Sequence, residues 1–284
     1  MKKTLVTTIM AAICYAASAQ ITVPQPSPQG STYSKVGLTD ITIDYSRPKM
    51  KGRKIFGEGD KFLVPFGKLW RTGANSGTIL KTSTDMMVEG KPLPAGEYML
   101  LTIPGKDSWT IVFYKDKSIG GNMNAYKEAD EQLRVSVKPG HLTEPVETLT
   151  FNISDISEDN TKAAIELAWE NTSVKTGVEV NFDEMVMKQI KENTEVNERN
   201  YLAAADYYLN TNRDLEQALA WMNIYLEKHP KEFWNVHTKA QILAKLGRKK
   251  EAKEAAESSI ELAKASQGGD FGYIKRNEDL IKSL

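Results

Sequence analysis

Apolar and polar positions alternate with a period of two through most of the first 180 residues, then with three- and four-residue steps to the end of the chain. Ile41, Ile43 and Tyr45 alternate with Thr42, Asp44 and Ser46, which predicts a strand with one buried face. Short strands are expected at 78–83 and 86–89. A hairpin is expected from 97–103 and 108–114, turned by Pro104-Gly105-Lys106-Asp107, and further strands at 132–138, 147–154, 162–169 and 174–180. Residues 115–130, with Gly120-Gly121-Asn122, read as a long loop. Residues 20–34, rich in Pro, Ser and Gln, read as an extended linker or an arm along a sheet edge. About nine short strands with no amphipathic helix among them predict an antiparallel β-sandwich, jelly-roll-like, over 35–180, and exclude a parallel α/β sheet.

From residue 181 the pattern is helical, with helices expected at 182–192, 198–209, 214–229, 232–246 and 249–265. His229-Pro230 and Leu246-Gly247 are stop signals. A 34-residue shift lays Leu209 on Leu243, Gln217 on Glu251 and Ala218 on Ala252, and Pro230 closes the first unit. The tail is thus similar to a tetratricopeptide array, although the aromatic and glycine positions of the first helix are not met and two units are fewer than such arrays need alone. These helices must bury their apolar faces, either as a cap on the sandwich or against a protein partner. The fold class expected is α+β in two parts.

Composition adds a compartment. Lys2 and Lys3, an apolar run from Leu5 to Ala17 and Ala17-Ser18-Ala19 form a secretory leader, residues 1–19, with cleavage expected after Ala19. The run is shorter than the roughly 20 residues a membrane span needs, and no later stretch reaches that length. The single cysteine, Cys14, lies inside this leader, so the mature chain has no disulfide. An extracytoplasmic protein, periplasmic or secreted, is expected. Its net charge of about −2 gives no global attraction to nucleic acid or to an anionic membrane.

Most catalytic chemistry finds no support. The histidines His141, His229 and His237 lack metal-ligand spacing, and the acidic run 155–160 lacks the alternation and glycine of a calcium loop, so neither metal nor cofactor is expected. Gly73-Ala74-Asn75-Ser76-Gly77 breaks the nucleophile-elbow spacing, and the glycines between 52 and 77 fit no phosphate loop. No catalytic residue is assigned. Distant carboxylates of an envelope hydrolase cannot be paired from sequence.

What stands out is local charge. Between Arg47 and Arg71 lie eight cations and two acids. Arginine offers a planar fork to carboxylate or phosphate, and a tryptophan offers a flat wall to a sugar ring. Arg47, Arg53, Trp70, Arg71 and Asn75 are therefore the expected binding residues for a small anionic or carbohydrate ligand. The competing reading is a solvated basic loop whose Ile55, Phe56, Leu63, Val64, Phe66, Leu69 and Trp70 plug one end of the sandwich. A third reading gives the work to the helical tail as a scaffold.

Several separated blocks, IDYSRPKMKGRKIFG, LVPFGKLWRTGANSGT, LPAGEYMLLTIPGKDSWTIVFYKD, GGNMNAYKEADEQLRVSV and IELAWENTSVKTGVEV, make residues 35–180 resemble the bacterial family called domain of unknown function 2911. The resemblance implies a secreted protein of the kind common in Bacteroidetes. It places Arg47-Pro48, Arg53, Ile55-Phe56-Gly57 and the stretch from Trp70 to Asn75 in the family's hallmark region, and assigns no activity to any of them.

Overall fold

The computed structural model describes residues 23–194 and 197–284. The leader expected at 1–19, with Cys14 and the cleavage position, lies outside the described residues. The chain divides into two compact units between Phe182 and Asp183. The first is antiparallel β and the second helical, so the two-part α+β layout expected from the periodicity is the one observed.

One sheet of the first unit has six strands in the order β1 (Gln29–Val36), β2 (Thr39–Ser46), β5 (Thr78–Thr82), β8 (Gly96–Ile103), β9 (Trp109–Tyr114), β10 (Glu131–Val137). The other has four, in the order β11 (Pro139–Ser154), β12 (Lys162–Val180), β6 (Met86–Val88), β7 (Lys91–Leu93). β3 (Phe56–Gly57) and β4 (Val64–Pro65) form a small parallel pair. Two of the expected strands, 162–169 and 174–180, are one continuous strand, β12; the segment between them continues the pairing to β11. The stretch read as an arm supplies β1, an edge strand in full register with β2.

The inward residues of both sheets form one core, among them Ile41, Ile43, Leu80, Phe113, Phe151, Ile165 and Leu167. One end of that core is closed by aromatics. Phe56 stands edge-on to Trp109, Trp70 and Trp169, at 4.9, 5.6 and 6.0 Å, and Trp70 stacks on Trp169 at 5.9 Å. Ile55 and Val64 are buried beside them, while Leu63 stays exposed.

β8 and β9 are buried on both faces. Met99, Leu101, Val112, Tyr114 and Ile119 form a second, smaller core with Leu69, Ile79, Met123 and Tyr126. Residues 115–130, expected to be a loop, fold as three short 3-10 turns and contribute Ile119, Met123, Ala125 and Tyr126 to this cluster. Their end is pinned by Lys127 N donating to Tyr114 Oη at 3.0 Å, and by Arg134 gripping Glu131, which also accepts from Tyr126 Oη.

The second unit contains α1 (Asp183–Asn193), α2 (Glu198–Thr211), α3 (Leu215–Lys228), α4 (Phe233–Lys245), α5 (Lys249–Lys264) and α6 (Tyr273–Ser283). No described helix is long and apolar enough to cross a membrane. Asp214 caps α3 by accepting from Gln217 N at 3.0 Å. Ala205, Leu209, Leu219, Met222, Ile242 and Leu243 are the centre of its core.

The sixth helix, α6, is fixed by a buried polar chain. Both amide hydrogens of Asn277 are used, toward Ser259 Oγ at 2.9 Å and Tyr273 O at 2.8 Å, so its oxygen is the acceptor for His237 Nδ1 at 2.7 Å. Ser259 Oγ donates on to Phe233 O at 2.7 Å. The geometry therefore holds His237 neutral with its proton on Nδ1, and burial lowers its pKa further.

Two outcomes are expected. Phe56→Ala should cost about 3–5 kcal/mol in chemical denaturation, because it empties the space between three indole rings. Because the folded pKa of His237 lies below its unfolded value near 6.5, its contribution is complete above that pH and is lost as pH falls through the folded pKa. Asp206, pushed up to about 6 by desolvation, has the opposite sign: its folded form is favoured at low pH. The measurement is thus comparative: between pH 8 and pH 5 the helical thermal transition, followed by far-UV circular dichroism, should fall further in the native chain than in His237→Gln.

Candidate functional site

The aromatic closure sets the backbone that follows it. Trp70 and Thr102 exchange both backbone hydrogen bonds, Trp70 N to Thr102 O at 2.8 Å and the reverse at 3.0 Å. The chain leaves this bridge at Arg71 and turns tightly through residues 72–77. Thr72, Gly73, Asn75 and Gly77 all have positive φ, at 55, 137, 53 and 89°. A β-branched residue pays a steric penalty in that region. Thr72 is held there by burial, by donating from its hydroxyl to Thr102 Oγ1 at 3.1 Å, and by Thr78 Oγ1 donating to its carbonyl. Asn75 tolerates the left-handed region and presents its amide at the tip of the turn.

Beside this turn, a cleft of about 540 Å³ opens over β1, β2 and the start of β5. Gln29, Gly30 and Ser31 of β1 line it, with Asp44, Tyr45 and Ser46 of β2, the tip residues Asn75, Ser76 and Gly77, and Ile79. Asn75 ties its parts together: its Nδ2 donates to Ser46 Oγ at 3.0 Å and to Ser27 O at 3.2 Å. Asp44 is compensated, accepting from Ser31 Oγ at 2.7 Å and pairing with Lys81 at 3.2 Å, so its carboxyl is held below its ordinary pKa, first by the Ser31 bond. It is the only carboxylate among the residues lining the cleft.

Two arginines border this cleft, each laid across a glycine. A Cβ on Gly30 would meet Arg47 Cδ at 2.7 Å. A Cβ on Gly121 would lie 3.6 Å from Arg71 Cδ and 2.7 Å from the carbonyl oxygen of Asn75. Both guanidinium groups keep a buried Nε–H without a hydrogen-bond partner. Among the described residues neither enters an ion pair, whereas Arg134, Arg213 and Arg248 each meet a carboxylate.

Of the five residues expected to bind, the structure brings Arg47, Arg71 and Asn75 around one cleft. Arg53 is spent elsewhere, its Nη2 and Nε donating to Lys49 O at 2.6 Å and Met50 O at 3.0 Å. Trp70 does not line the cleft; its ring stacks on Trp169 at the end of the sandwich. Sequence reasoning missed Ser31, Asp44, Ser46 and Ser76, as well as the two glycines. The only trace of the glycines was Gly120-Gly121 in a segment without periodicity. No group of three or more His, Cys, Asp or Glu among the described residues is placed to hold a metal ion.

The family profile described as Protein of unknown function (DUF2911) matches residues 27–178, more than half of the chain. The chain belongs to the DUF2911 family. The matched DUF2911 segment contains the whole cleft, both arginines and the aromatic closure. No curated protein and no solved structure matches the chain significantly.

The two glycines separate in their expected cost. Gly121→Ala places a methyl against a backbone carbonyl, so the turn or the covering segment must shift, and a loss of about 1–3 kcal/mol is expected in urea denaturation. Gly30→Ala meets only the flexible Arg47 side chain and should cost under about 1 kcal/mol.

Proposed function

We propose that the β-sandwich unit is a non-catalytic binding module which holds a small anion-bearing ligand in the cleft bordered by Arg47 and Arg71. One observation carries this reading: two guanidinium groups flank the same cleft with no acidic partner among the described residues and with an Nε–H left unbonded. A buried donor without an acceptor costs about 1–3 kcal/mol, and an incoming carboxylate, phosphate or sulfate would offset that cost with charge-assisted hydrogen bonds. The strained turn at 72–77 supports the same reading, since backbone held in sparsely populated conformations is concentrated at ligand sites. A lone, already compensated carboxylate in the cleft offers no acid–base pair, which favours binding over hydrolysis there.

The lysine-led apolar start of the sequence supports action outside the cytoplasm. In the second unit α2 and α4 begin at Glu198 and Phe233, and α3 and α5 at Leu215 and Lys249, which supports a tetratricopeptide-like pairing that receives a protein partner.

Ligand-induced thermal shifts across a panel of small carboxylates, phosphates and sulfates test the cleft. A stabilising anion is expected, with its shift lost in Arg47→Ala and in Arg71→Ala while the ligand-free melting temperature of each variant stays within about 2 °C of the native value. A collapse of the ligand-free melting temperature in both variants would instead make the arginines part of the packing.

A further inference from the structure

The hydrogen-bonding capacity left open in the cleft says more about the ligand than its charge. Both hydrogens of the Asn75 amide are already used, toward Ser46 and Ser27, which leaves its oxygen as an open acceptor. Ser31 gives its proton to Asp44 and so offers only lone pairs to a ligand. Both Asp44 oxygens can accept again. Ser46 accepts from Asn75 and keeps its own O–H to donate. Away from the arginines the open capacity is thus mainly that of acceptors, and the complementary ligand groups are donors.

Those donors are hydroxyls and not an ammonium. A cationic group would need an uncompensated carboxylate, and the one in the cleft is already matched by Lys81 at 3.2 Å, which in turn faces Glu97, itself paired with Lys117. Hydroxyl groups need no charge and can both donate to Asn75 Oδ1, Ser31 and Asp44 and accept from Ser46. Ile79 supplies an apolar patch for ring carbons. About 540 Å³ falls in the range of small-molecule pockets.

Resting on the anion-binding reading above, we infer that the cleft takes an acidic sugar: a pyranose whose carboxylate lies toward Arg47 and Arg71 while its ring hydroxyls meet Asn75, Ser31, Ser46 and Asp44. The acid supplies the missing partner for the guanidinium groups, and the ring hydroxyls fill the acceptors that a simple anion leaves empty.

Isothermal titration of the full chain with D-galacturonate and D-glucuronate, with D-galactose and D-glucose, and with acetate separates the two halves of this inference. At least one uronate is expected to bind about tenfold or more tightly than both its neutral hexose and acetate, the worth of one charge-assisted hydrogen bond or a pair of neutral ones. Arg71→Ala should remove the preference of that uronate over its hexose, and Ser31→Ala should remove part of its advantage over acetate. Acetate binding as tightly as the uronates, unaffected by Ser31→Ala, would overturn the sugar and leave the anion site standing. A hexose binding as tightly as its uronate, with Arg71→Ala unchanged, would overturn both. No binding of either uronate to a folded chain that does bind phosphate or sulfate would overturn the sugar alone.

Discussion

The packing of Phe56 among Trp70, Trp109 and Trp169 is the constraint on which the first unit depends. Those rings come from the β3 segment, from the residue before the strained turn, from β9 and from β12, so one contact locks both sheets and the intervening loops. Its consequence reaches the cleft through the backbone. Once Trp70 is stacked on Trp169 and bridged to Thr102, the direction of the chain at Arg71 is settled, and residues 72–77 must turn within a few positions to enter β5. The strain of that turn is borne by burial of Thr72 and by the hydroxyls of Thr72 and Thr78.

A second constraint is close approach. The segment covering the outer side of β8 and β9 has to come near the turn, and it does so at Gly121, where any side chain would strike the Asn75 carbonyl. Gly30 plays the corresponding part for Arg47 on the edge strand. The arginines are thus laid over glycine backbone, where no acidic side chain can be supplied by the residue beneath them. An absent Cβ and an absent counter-charge have the same origin.

Much of the architecture was legible because burial on one face writes a period of two, and Ile41, Ile43 and Tyr45 or Ala163, Ile165 and Leu167 carry it openly. Where burial follows another rule, the signal fades. β1 reads Gln-Gly-Ser-Thr-Tyr-Ser-Lys-Val and is held mainly by pairing with β2, so nothing apolar announces it. α6 went unread because its one buried residue is Asn277, whose partners His237 and Ser259 lie on other helices. β12 was split at 170–173 because that middle stretch is polar while its hydrogen bonding to β11 continues.

For the site, the sequence showed the cations but not their partners. Arg53, Arg47 and Arg71 look alike in one dimension; only the fold gives Arg53 two carbonyl acceptors and denies the other two any carboxylate. Trp70, which looked equally suited to a ligand wall, is needed for the closure. The central claim, that Arg47 and Arg71 stand open for an anion while Arg53 does not, is tested most directly by NMR of the arginine Nε–H groups, assigned by Arg→Lys substitution. Titration with an anion that stabilises the chain is predicted to move the Arg47 and Arg71 signals together and leave Arg53 in place. Signals of Arg47 and Arg71 that stay fixed at saturation, or that move no more than Arg53, would contradict it.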